Sequence, residues 1–459
     1  MKIPITKNEQ YTMTIVDIGS QGEGIGKISD FTVFVPQAIT GDEIEVKILK
    51  VKKNYAYGKL IRLISPSPKR QDPRCPSAHI CGGCQLQHVD YEEQLVWKKD
   101  KVKAALTRIG GLKDVFVHPT LGMQEPYYYR NKAQFPITME DGKVKIGFYA
   151  NHSHRIIPID MCMIQDKKNK EIIQVVKTFI EKYNVSVYDE NEHKGLIRHL
   201  VTKTAFYKEG IMVCLVINGD RLPHDDKLIV ALRDIEGISS IVLNHNKDNT
   251  NVILGDTITV LYGEDYIIDL IGDLKFKISP LSFFQVNPLQ TKVLYDKVLE
   301  YAELKGEETV WDAYCGIGTI SLFLAQKAKK IYGVEVVPEA IGNARENAAL
   351  NAVSNAEFFE GHAEEVIPRL YKQGVKADMI VVDPPRKGCD QKLLETIISM
   401  APSKMIYVSC DPATLARDLA FLTSQGYAVE KVQPVDMFPH TTHVETVVLM
   451  CASSEAGKC

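Results

Sequence analysis

The chain has 459 residues, with 55 Lys and Arg against 58 Asp and Glu, so its formal net charge is -3. This length is enough for about three domains, and 45% hydrophobic with 25% charged residues is typical of a soluble globular protein. No run of about 18 apolar residues occurs and no signal-peptide core opens the chain, so we expect no membrane helix and a cytoplasmic location.

Residues 1–65 predict a small β-barrel of the OB type, a fold that often binds RNA. Strand-like segments occur at 11–16, 31–35, 43–49 and 57–64, and the glycine-rich segment 19–26 predicts a turn. Cations and aromatics alternate near its end, namely Lys50, Lys52, Lys53, Tyr55, Tyr57, Lys59 and Arg62. This pattern suits RNA stacking and phosphate contact, although a solvated edge strand protected by lysines has the same composition.

A proline-rich linker at 65–73 is followed by a cysteine-rich loop. Cys75, Cys81 and Cys84 are separated by five and by two residues, with two glycines in the tight turn. Because disulfides are rare in a reducing compartment, we interpret the loop as a metal site, with Cys162 as the fourth ligand. Four thiolates suit either zinc or a [4Fe-4S] cluster, and the spacing does not decide between them. His79 is an alternative zinc ligand that we favour less.

Two segments of the middle region carry further cations. An amphipathic helix predicted over 91–112 is basic, which indicates either an RNA-facing surface or an ordinary charged face. The segment 127–132 reads Tyr-Tyr-Tyr-Arg-Asn-Lys, which suits base stacking or, equally, strand packing. The rest of 120–275 predicts mixed strands and helices.

From residue 276 strands alternate with helices, which predicts a doubly wound parallel sheet. The predicted strands are 308–314, 331–335, 356–361, 377–383, the segment ending at 410, and 445–450. Cys410 lies where the fifth strand ends and a helix begins, with Asp411 as its N-cap and Pro412 at its first position. A helix N-terminus favours a thiolate, so Cys410 is a candidate nucleophile.

The first turn of this sheet predicts a nucleotide-like ligand. Residues 312–318 read Asp-Ala-Tyr-Cys-Gly-Ile-Gly, which lacks the third glycine of the dinucleotide motif, and no P-loop is present. Glu335, about 20 residues on, can accept hydrogen bonds from ribose hydroxyls. A pocket that suits adenosine but lacks a phosphate-binding motif indicates S-adenosylmethionine rather than NAD as the ligand.

A thiolate near a methyl donor has a defined use on uracil. Addition of the thiolate to C6 makes C5 nucleophilic enough to take the methyl group, and a base then removes the C5 proton. His440, His443 and Glu445 are the candidate bases, and we favour Glu445 because it opens the last predicted strand.

Five motifs carry a resemblance to a known family that extends over essentially the whole chain. They are 284–287 (Phe-Gln-Val-Asn), 312–318, 383–388 (Asp-Pro-Pro-Arg-Lys-Gly), 409–417 (Ser-Cys-Asp-Pro-Ala-Thr-Leu-Ala-Arg) and 443–445 (His-Val-Glu). With them, the chain resembles the RNA uracil-C5 methyltransferases in their 23S ribosomal RNA branch. Its first barrel resembles a TRAM domain, and its cysteine set resembles that branch's [4Fe-4S] site.

The resemblance implies a role for each motif residue. Cys410 would be the nucleophile and Glu445 the proton acceptor. The implied S-adenosylmethionine contacts are Gln285, Tyr314, Glu335 and Asp383, and the implied cluster ligands are Cys75, Cys81, Cys84 and Cys162. Thr319 and His362 replace an Asn found in some relatives, so they stay outside this set. The implied partner is 23S rRNA, with no DNA, no membrane and a monomeric state, and the cluster would be structural or position RNA.

The resulting fold class is multidomain. We expect a TRAM-like OB barrel at 1–65, a central α+β domain with the iron–sulfur loop at 72–91 and 120–275, and a Rossmann-like methyltransferase domain at 92–119 and 276–459. Alternatives are a tRNA uracil-C5 methyltransferase, a non-catalytic RNA-binding assembly factor, and an adenine-N6 methyltransferase, which would usually carry an aromatic where Arg386 stands. Cys389 is the rival nucleophile.

Overall fold

A computed structural model describes residues 3–151 and 153–453 of the chain. The predicted outer limits at residues 1 and 459 lie outside the described residues, and the predicted divisions between domains stay predictions. In the described part of the chain, no helix combines the length and the apolar character needed to cross a membrane.

The N-terminal strands close into a five-stranded barrel, as predicted. They are β1 (Gln10–Ile18), β2 (Gly24–Ile28), β3 (Phe31–Val35), β4 (Glu43–Val51) and β5 (Tyr55–Ser65), in the order β1-β2-β3-β5-β4. The prediction of a turn over 19–26 is wrong for its second half, where β2 begins. Glycine is needed there for space, because a Cβ on Gly26 would lie 2.7 Å from the carbonyl oxygen of Thr14.

A seven-stranded sheet with helices forms the middle of the molecule. Its strands and neighbouring elements are α1 (Tyr91–Arg108), β6 (Lys132–Glu140), β7 (Lys143–Tyr149), β8 (Ile156–Pro158), α2 (Asn169–Lys182), β9 (Ile197–Thr204), β10 (Ile211–Ile217), α3 (Asp225–Arg233), β11 (Ile238–His245) and β12 (Thr257–Gly263). The strand order is β12-β11-β10-β9-β6-β7-β8. Helices α2 and α3 cover one face, where Val176 and Leu228 join the buried apolar cluster.

The C-terminal part is a second seven-stranded sheet, preceded by a hairpin. Its elements are β13 (Ile267–Ile271), β14 (Leu274–Ile278), α4 (Pro288–Ala302), β15 (Thr309–Ala313), α5 (Thr319–Ala325), β16 (Lys330–Glu335), α6 (Pro338–Leu350), β17 (Ala356–Glu360), α7 (Ala363–Lys372), β18 (Met379–Val382), α8 (Gln391–Met400), β19 (Lys404–Ser409), α9 (Pro412–Ser424), β20 (Tyr427–Val435) and β21 (Glu445–Ala452). The strand order is β17-β16-β15-β18-β19-β21-β20. Layers of apolar side chains on both faces of this sheet form the two largest buried clusters.

The sheet differs from the prediction in two ways. Strand β21 runs antiparallel to its neighbours β19 and β20, so the sheet is not wholly parallel. Strand β20 was not predicted, because its sequence mixes Glu430, Lys431 and Pro434 with apolar residues and breaks both simple periodicities.

Helix α1 packs against the C-terminal sheet, and not all of its basic side chains are on the surface. Val102 and Leu106 are buried against it. Lys98 is fully buried and forms an ion pair with Asp436, while Lys101 donates to the backbone oxygen of Thr442 at 2.7 Å. Of the two interpretations offered for this basic helix, the RNA-facing one does not fit these two lysines, because both bind the chain that leads into β21.

Candidate active site

One large cavity lies at the carboxyl ends of the parallel strands, where the strand order reverses between β15 and β18. Open α/β sheets bind their ligands at this point. The cavity measures about 1570 Å³. All ten residues predicted for catalysis, cofactor and metal line it, namely Cys75, Cys81, Cys84, Cys162, Gln285, Tyr314, Glu335, Asp383, Cys410 and Glu445.

The sheet register brings the predicted nucleophile and base together. Ser409, the last residue of β19, pairs with Thr446 of the antiparallel β21. One step further along this register, Cys410 and Glu445 lie side by side. Glu445 is 5% exposed, whereas Cys410 is half-buried and open to the cavity.

Burial and mutual repulsion set the charges at this point. Desolvation, with the nearby Asp383 carboxylate, raises the pKa of Glu445 to about 8, and Arg386 partly offsets the rise. Desolvation also raises the pKa of Asp383 to about 7. Both carboxyl groups therefore exchange protons near neutral pH, which is the range that suits a general base.

Cys410 is a thiol, not a thiolate, in this free state. Desolvation, then Glu445 and Asp383, raise its pKa to about 12. The expectation that the helix N-terminus would favour the thiolate is wrong, because desolvation and the charges of Glu445 and Asp383 outweigh it. Asp411, the N-cap of that helix, adds a smaller contribution in the same direction. Its carboxylate accepts from the backbone N–H groups of Ala413 and Thr414 at 2.8 and 3.0 Å.

The opposite end of the cavity has the features of an adenosine pocket. Glu335 is held rigidly, since its carboxylate accepts from the backbone of Gly316 at 3.2 Å and of Val336 at 2.8 Å. Tyr314 has a positive φ of 67°, a strained backbone of the kind found at functional sites. A Cβ on Gly316 would meet no protein atom within 4 Å, so a ligand can approach the backbone there.

Asp312 is a site residue that the sequence reasoning did not select. Its side chain is fully buried, lines the cavity and accepts a hydrogen bond from Ser321, but its Oδ1 atom has no partner. Desolvation, with a contribution from Asp383, raises its pKa to about 7. The signal was available, because Asp312 opens the motif that carries Tyr314. Thr319 and His362, left outside the predicted set, also line the cavity.

The rival candidates are placed differently. Cys389 is 6% exposed and is not part of the cavity wall. His440 is fully buried and is fixed by Gln94, 3.2 Å from its Nδ1. His443 does line the cavity, but desolvation together with Arg386 lowers its pKa to about 4. Glu445 is therefore the candidate base best placed beside Cys410.

The four predicted metal ligands line one wall of the cavity. Among residues 3–151 and 153–453, no three His, Cys, Asp or Glu side chains are close enough together to hold one metal ion. The thiols are nevertheless near enough to interact, since burial and the charges of the other cysteines raise the pKa of Cys84 to about 12 and that of Cys162 to about 11. The backbone N–H of Gly83 donates to the Cys81 sulfur at 3.4 Å. A donor of this kind stabilises a thiolate.

Two of the three tyrosines of 127–132, Tyr127 and Tyr129, pack inside the protein instead of stacking on RNA. Tyr129 is fully buried and its hydroxyl donates to the Pro439 oxygen at 3.0 Å. Tyr127 is also buried and lies 4.5 Å from the His440 ring. Arg130 is the member of this segment that reaches the cavity.

Known proteins resemble this chain over nearly its whole length. Residues 260–453 match the family described as tRNA (Uracil-5-)-methyltransferase, and residues 4–61 match the TRAM domain. An uncharacterized RNA methyltransferase of Clostridium tetani is 58% identical over 449 residues, covering 98% of this chain and 97% of that one. One of Bacillus cereus is 54% identical over 452 residues, with 98% of both chains covered.

A solved structure is similar as well. The tRNA (uracil-54, C5)-methyltransferase of Pyrococcus abyssi, crystallised with S-adenosyl-L-homocysteine, is 30% identical with a TM-score of 0.78. The match covers 96% of this chain and 100% of that one. These similarities define an RNA methyltransferase with a TRAM barrel and a Rossmann-like domain. The chain belongs to the RNA uracil-5-methyltransferase family.

The raised pKa of Glu445 predicts a pH-dependent effect on stability. The folded protein holds this proton up to about pH 8, whereas an unfolded Glu loses it near pH 4.3. Folding stability therefore falls as pH rises between these values. We expect Glu445→Gln to raise the melting temperature of the free protein by a few degrees at pH 9 and by much less at pH 5. Differential scanning calorimetry measures this, with the exposed Glu430→Gln as control; equal effects of both variants at every pH would contradict the assignment.

Proposed function

We propose that the chain transfers the methyl group of S-adenosylmethionine to C5 of uracil in 23S rRNA. The observation that carries this proposal is the placement of Cys410 beside Glu445, in the same cavity as the Glu335 end. The nucleophile, the base and a pocket for adenosine are all required for uracil-C5 methylation. The similarity to uracil-5-methyltransferases supports the same chemistry.

Each residue then has one step. The Cys410 sulfur adds to uracil C6, and the electron pair displaced from the C5–C6 bond makes C5 the nucleophile. S-adenosylmethionine supplies an electrophilic methyl group. After C5 is methylated, Glu445 takes its proton, the C5–C6 double bond re-forms and the sulfur leaves. Gln285, Tyr314, Glu335 and Asp383 would hold the methyl donor in this scheme.

The protonation states fit a substrate-triggered nucleophile. Cys410 must lose a proton before it adds to uracil, and Asp383, whose pKa is about 7, can accept it near neutral pH, so that Glu445 is left to take the later proton from C5. Arg386 favours the charged form of Cys410 as well as that of Glu445. Arg386 would therefore stabilise the anionic stages of the reaction, a role that an aromatic of an adenine-N6 enzyme could not fill.

The barrel supports an RNA substrate. The side chains of Lys50, Lys52, Lys53, Lys59 and Arg62 are exposed on it. Beside them, the rings of Phe34, Tyr55 and Tyr57 lie 5.5 to 5.9 Å apart, and Tyr57 is 41% exposed. Charge with accessible rings is the combination that binds single-stranded RNA. Binding alone would suit an assembly factor, but it would leave the Cys410 site without a purpose.

The RNA class has a second candidate. The resemblance to the 23S rRNA branch disfavours tRNA, because the tRNA branch of the family is expected to lack both the TRAM domain and the cluster. The Pyrococcus abyssi enzyme, a tRNA methyltransferase by its description, matches 96% of this chain. The barrel therefore does not discriminate, and tRNA remains the alternative substrate.

We also propose that Cys75, Cys81, Cys84 and Cys162 hold a [4Fe-4S] cluster with a structural or RNA-positioning role. The four thiols are half-buried, and one of them, Cys81, accepts a backbone N–H; thiolate ligands with such donors suit a [4Fe-4S] cluster. If a cluster is present, anaerobically purified protein contains about four irons and four sulfides per chain, and Cys84→Ser loses them while Cys214→Ser does not. Zinc at about one equivalent in place of iron would contradict the cluster.

Substitution of Cys410 tests the covalent route. We expect Cys410→Ala to abolish methylation while retaining RNA binding, because the sulfur acts in catalysis only. Glu445→Gln should lower the methylation rate by about 10²–10⁴-fold. Wild type should form a denaturation-resistant complex with 5-fluorouracil-substituted RNA, since fluorine cannot leave as a proton does. Cys389→Ala is the matched control and should keep both activities; loss of the complex in this control alone would assign the nucleophile to Cys389.

Mapping of 5-methyluridine identifies the substrate. In cells that lack this protein, we expect one or more 5-methyluridines to disappear from 23S rRNA, and to return with wild type but not with Cys410→Ala. Mass spectrometry of separated rRNA and tRNA measures both pools. Loss from tRNA instead would establish the alternative, and no loss from either would contradict uracil methylation.

A further inference from the structure

The wall of the cavity between the cysteine loop and the active site carries two buried polar atoms that the proposed reaction does not use. Gln165 is 5% exposed and its Oε1 atom has no hydrogen-bond partner. The Nε atom of Arg130 is buried without a partner as well. Both side chains line the cavity. A buried polar atom without a partner costs about 1–3 kcal/mol, so such a pair indicates a missing ligand.

The backbone fixes these two residues next to each other. The chain around Arg130 pairs in parallel with the chain around Gln165. Its backbone N–H groups hold that partner, with Tyr128 donating to Met163 and Arg130 to Ile164, each at 2.9 Å. Paired residues of neighbouring strands project to the same side, which agrees with their shared place on the wall.

The neighbouring polar groups on this wall have partners, so the pair is distinct. Gln87 Oε1 accepts from the Cys75 backbone at 3.2 Å, and the Thr441 hydroxyl donates to the Phe438 oxygen at 2.8 Å. In the described part of the chain, no carboxylate forms an ion pair with Arg130. The guanidinium interacts with the side chain of the buried Tyr129, while its Nε atom is left without a partner.

The chemistry of the pair selects its ligand. Arg130 offers an N–H donor, and the carboxamide of Gln165 offers an acceptor. A phosphate has acceptors only, so it would leave the Gln165 oxygen without a donor. A nucleobase edge carries a donor and an acceptor side by side and can satisfy both.

Arg130 and Gln165 lie away from the point where the target uracil would meet Cys410. The charges that act most strongly on Cys410 are those of Glu445, Asp383 and Arg386. Arg130 acts instead on His443, at the margin of the site. Next to Arg130, the Asn131 side chain donates to the Gln285 oxygen at 3.0 Å, so the same segment borders the cofactor end. A base bound here would be a neighbour of the uracil that reacts.

We infer that Arg130 and Gln165 form a subsite for one unpaired base of the substrate RNA beside the target uracil. This inference rests on the proposed RNA methylation and adds a determinant of sequence preference to it. It also gives the segment after Cys162 a use, because Gln165 lies three residues beyond that cysteine and lines the cavity.

The test uses full-length protein with its metal site intact and the shortest rRNA or tRNA transcript that wild type methylates. A series of transcripts carries one abasic nucleotide at each position flanking the target. We expect one position at which removal of the base raises KM about tenfold for wild type. Gln165→Ala and Arg130→Ala should show a similar rise with intact RNA and no further rise with that abasic transcript. Arg130→Lys should retain overall RNA affinity but lose the preference at that position.

The controls separate the possible failures. Gln174→Ala, an exposed glutamine on α2, should behave as wild type, and binding of S-adenosylmethionine by calorimetry should be unchanged in every variant. If the rise in KM caused by each substitution adds to the rise caused by the abasic nucleotide at every position, the subsite does not exist. If wild type methylates no RNA uracil, the proposed function itself fails.

Discussion

The arrangement of the candidate active site depends on the direction of one strand, β21, which is antiparallel to its neighbour β19. In a wholly parallel sheet, the residue that opens a strand lies at the amino end, far from the ligand edge. Because β21 is antiparallel to β19, its first residue, Glu445, instead lies at the carboxyl edge beside Cys410. The direction of β21 therefore puts an acid and a thiol together, although Glu445 comes 35 positions after Cys410 in the sequence. That pairing requires the chain before β21 to be held. Helix α1 does so through buried contacts, where Lys98 pairs with Asp436 and the Gln94 oxygen accepts from the His440 backbone at 3.0 Å.

The same burial determines the electrostatics. Asp383, Glu445 and Cys410 share a poorly solvated region. The nearby Arg386 lowers the pKa of Glu445 and of Cys410 but does not cancel the effect of burial. Each group therefore holds its proton more tightly than it would in water. A free enzyme of this kind keeps its thiol unreactive, which protects it from oxidation. In the proposed reaction, binding of substrate would have to supply the charge or the geometry that releases the proton.

Much of the fold followed from local sequence. Buried β-branched runs with glycine or proline at their ends fixed the strands of the C-terminal sheet and the junction at Cys410, where Asp411 and Pro412 begin α9 as predicted. Strands β2 and β20 were not predicted. The glycines of β2 allow close packing but resemble a turn, and the apolar residues of β20 follow no regular period. The basic side chains of α1 were misleading because charge in sequence does not reveal burial: Lys98 is among the largest fully buried side chains.

The sequence predicted which residues line the site better than it predicted their protonation states. Motif residues at strand ends meet at one sheet edge, so all ten selected residues line one cavity. The direction of the Cys410 pKa could not be read from the helix alone, because it depends on Glu445, which is distant in sequence. Asp312 and Gln165 were missed for a similar reason, since an unpartnered buried atom is a property of packing.

The central claim is that Cys410 attacks uracil and Glu445 completes the reaction. The most direct measurement is tandem mass spectrometry of Glu445→Gln after reaction with substrate RNA and S-adenosylmethionine, followed by digestion with protease and nuclease. The account predicts a nucleotide joined to the peptide that contains Cys410 and already carrying the transferred methyl group, because the adduct cannot eliminate without its base. An adduct on another cysteine, or one at Cys410 without the methyl group, would contradict it.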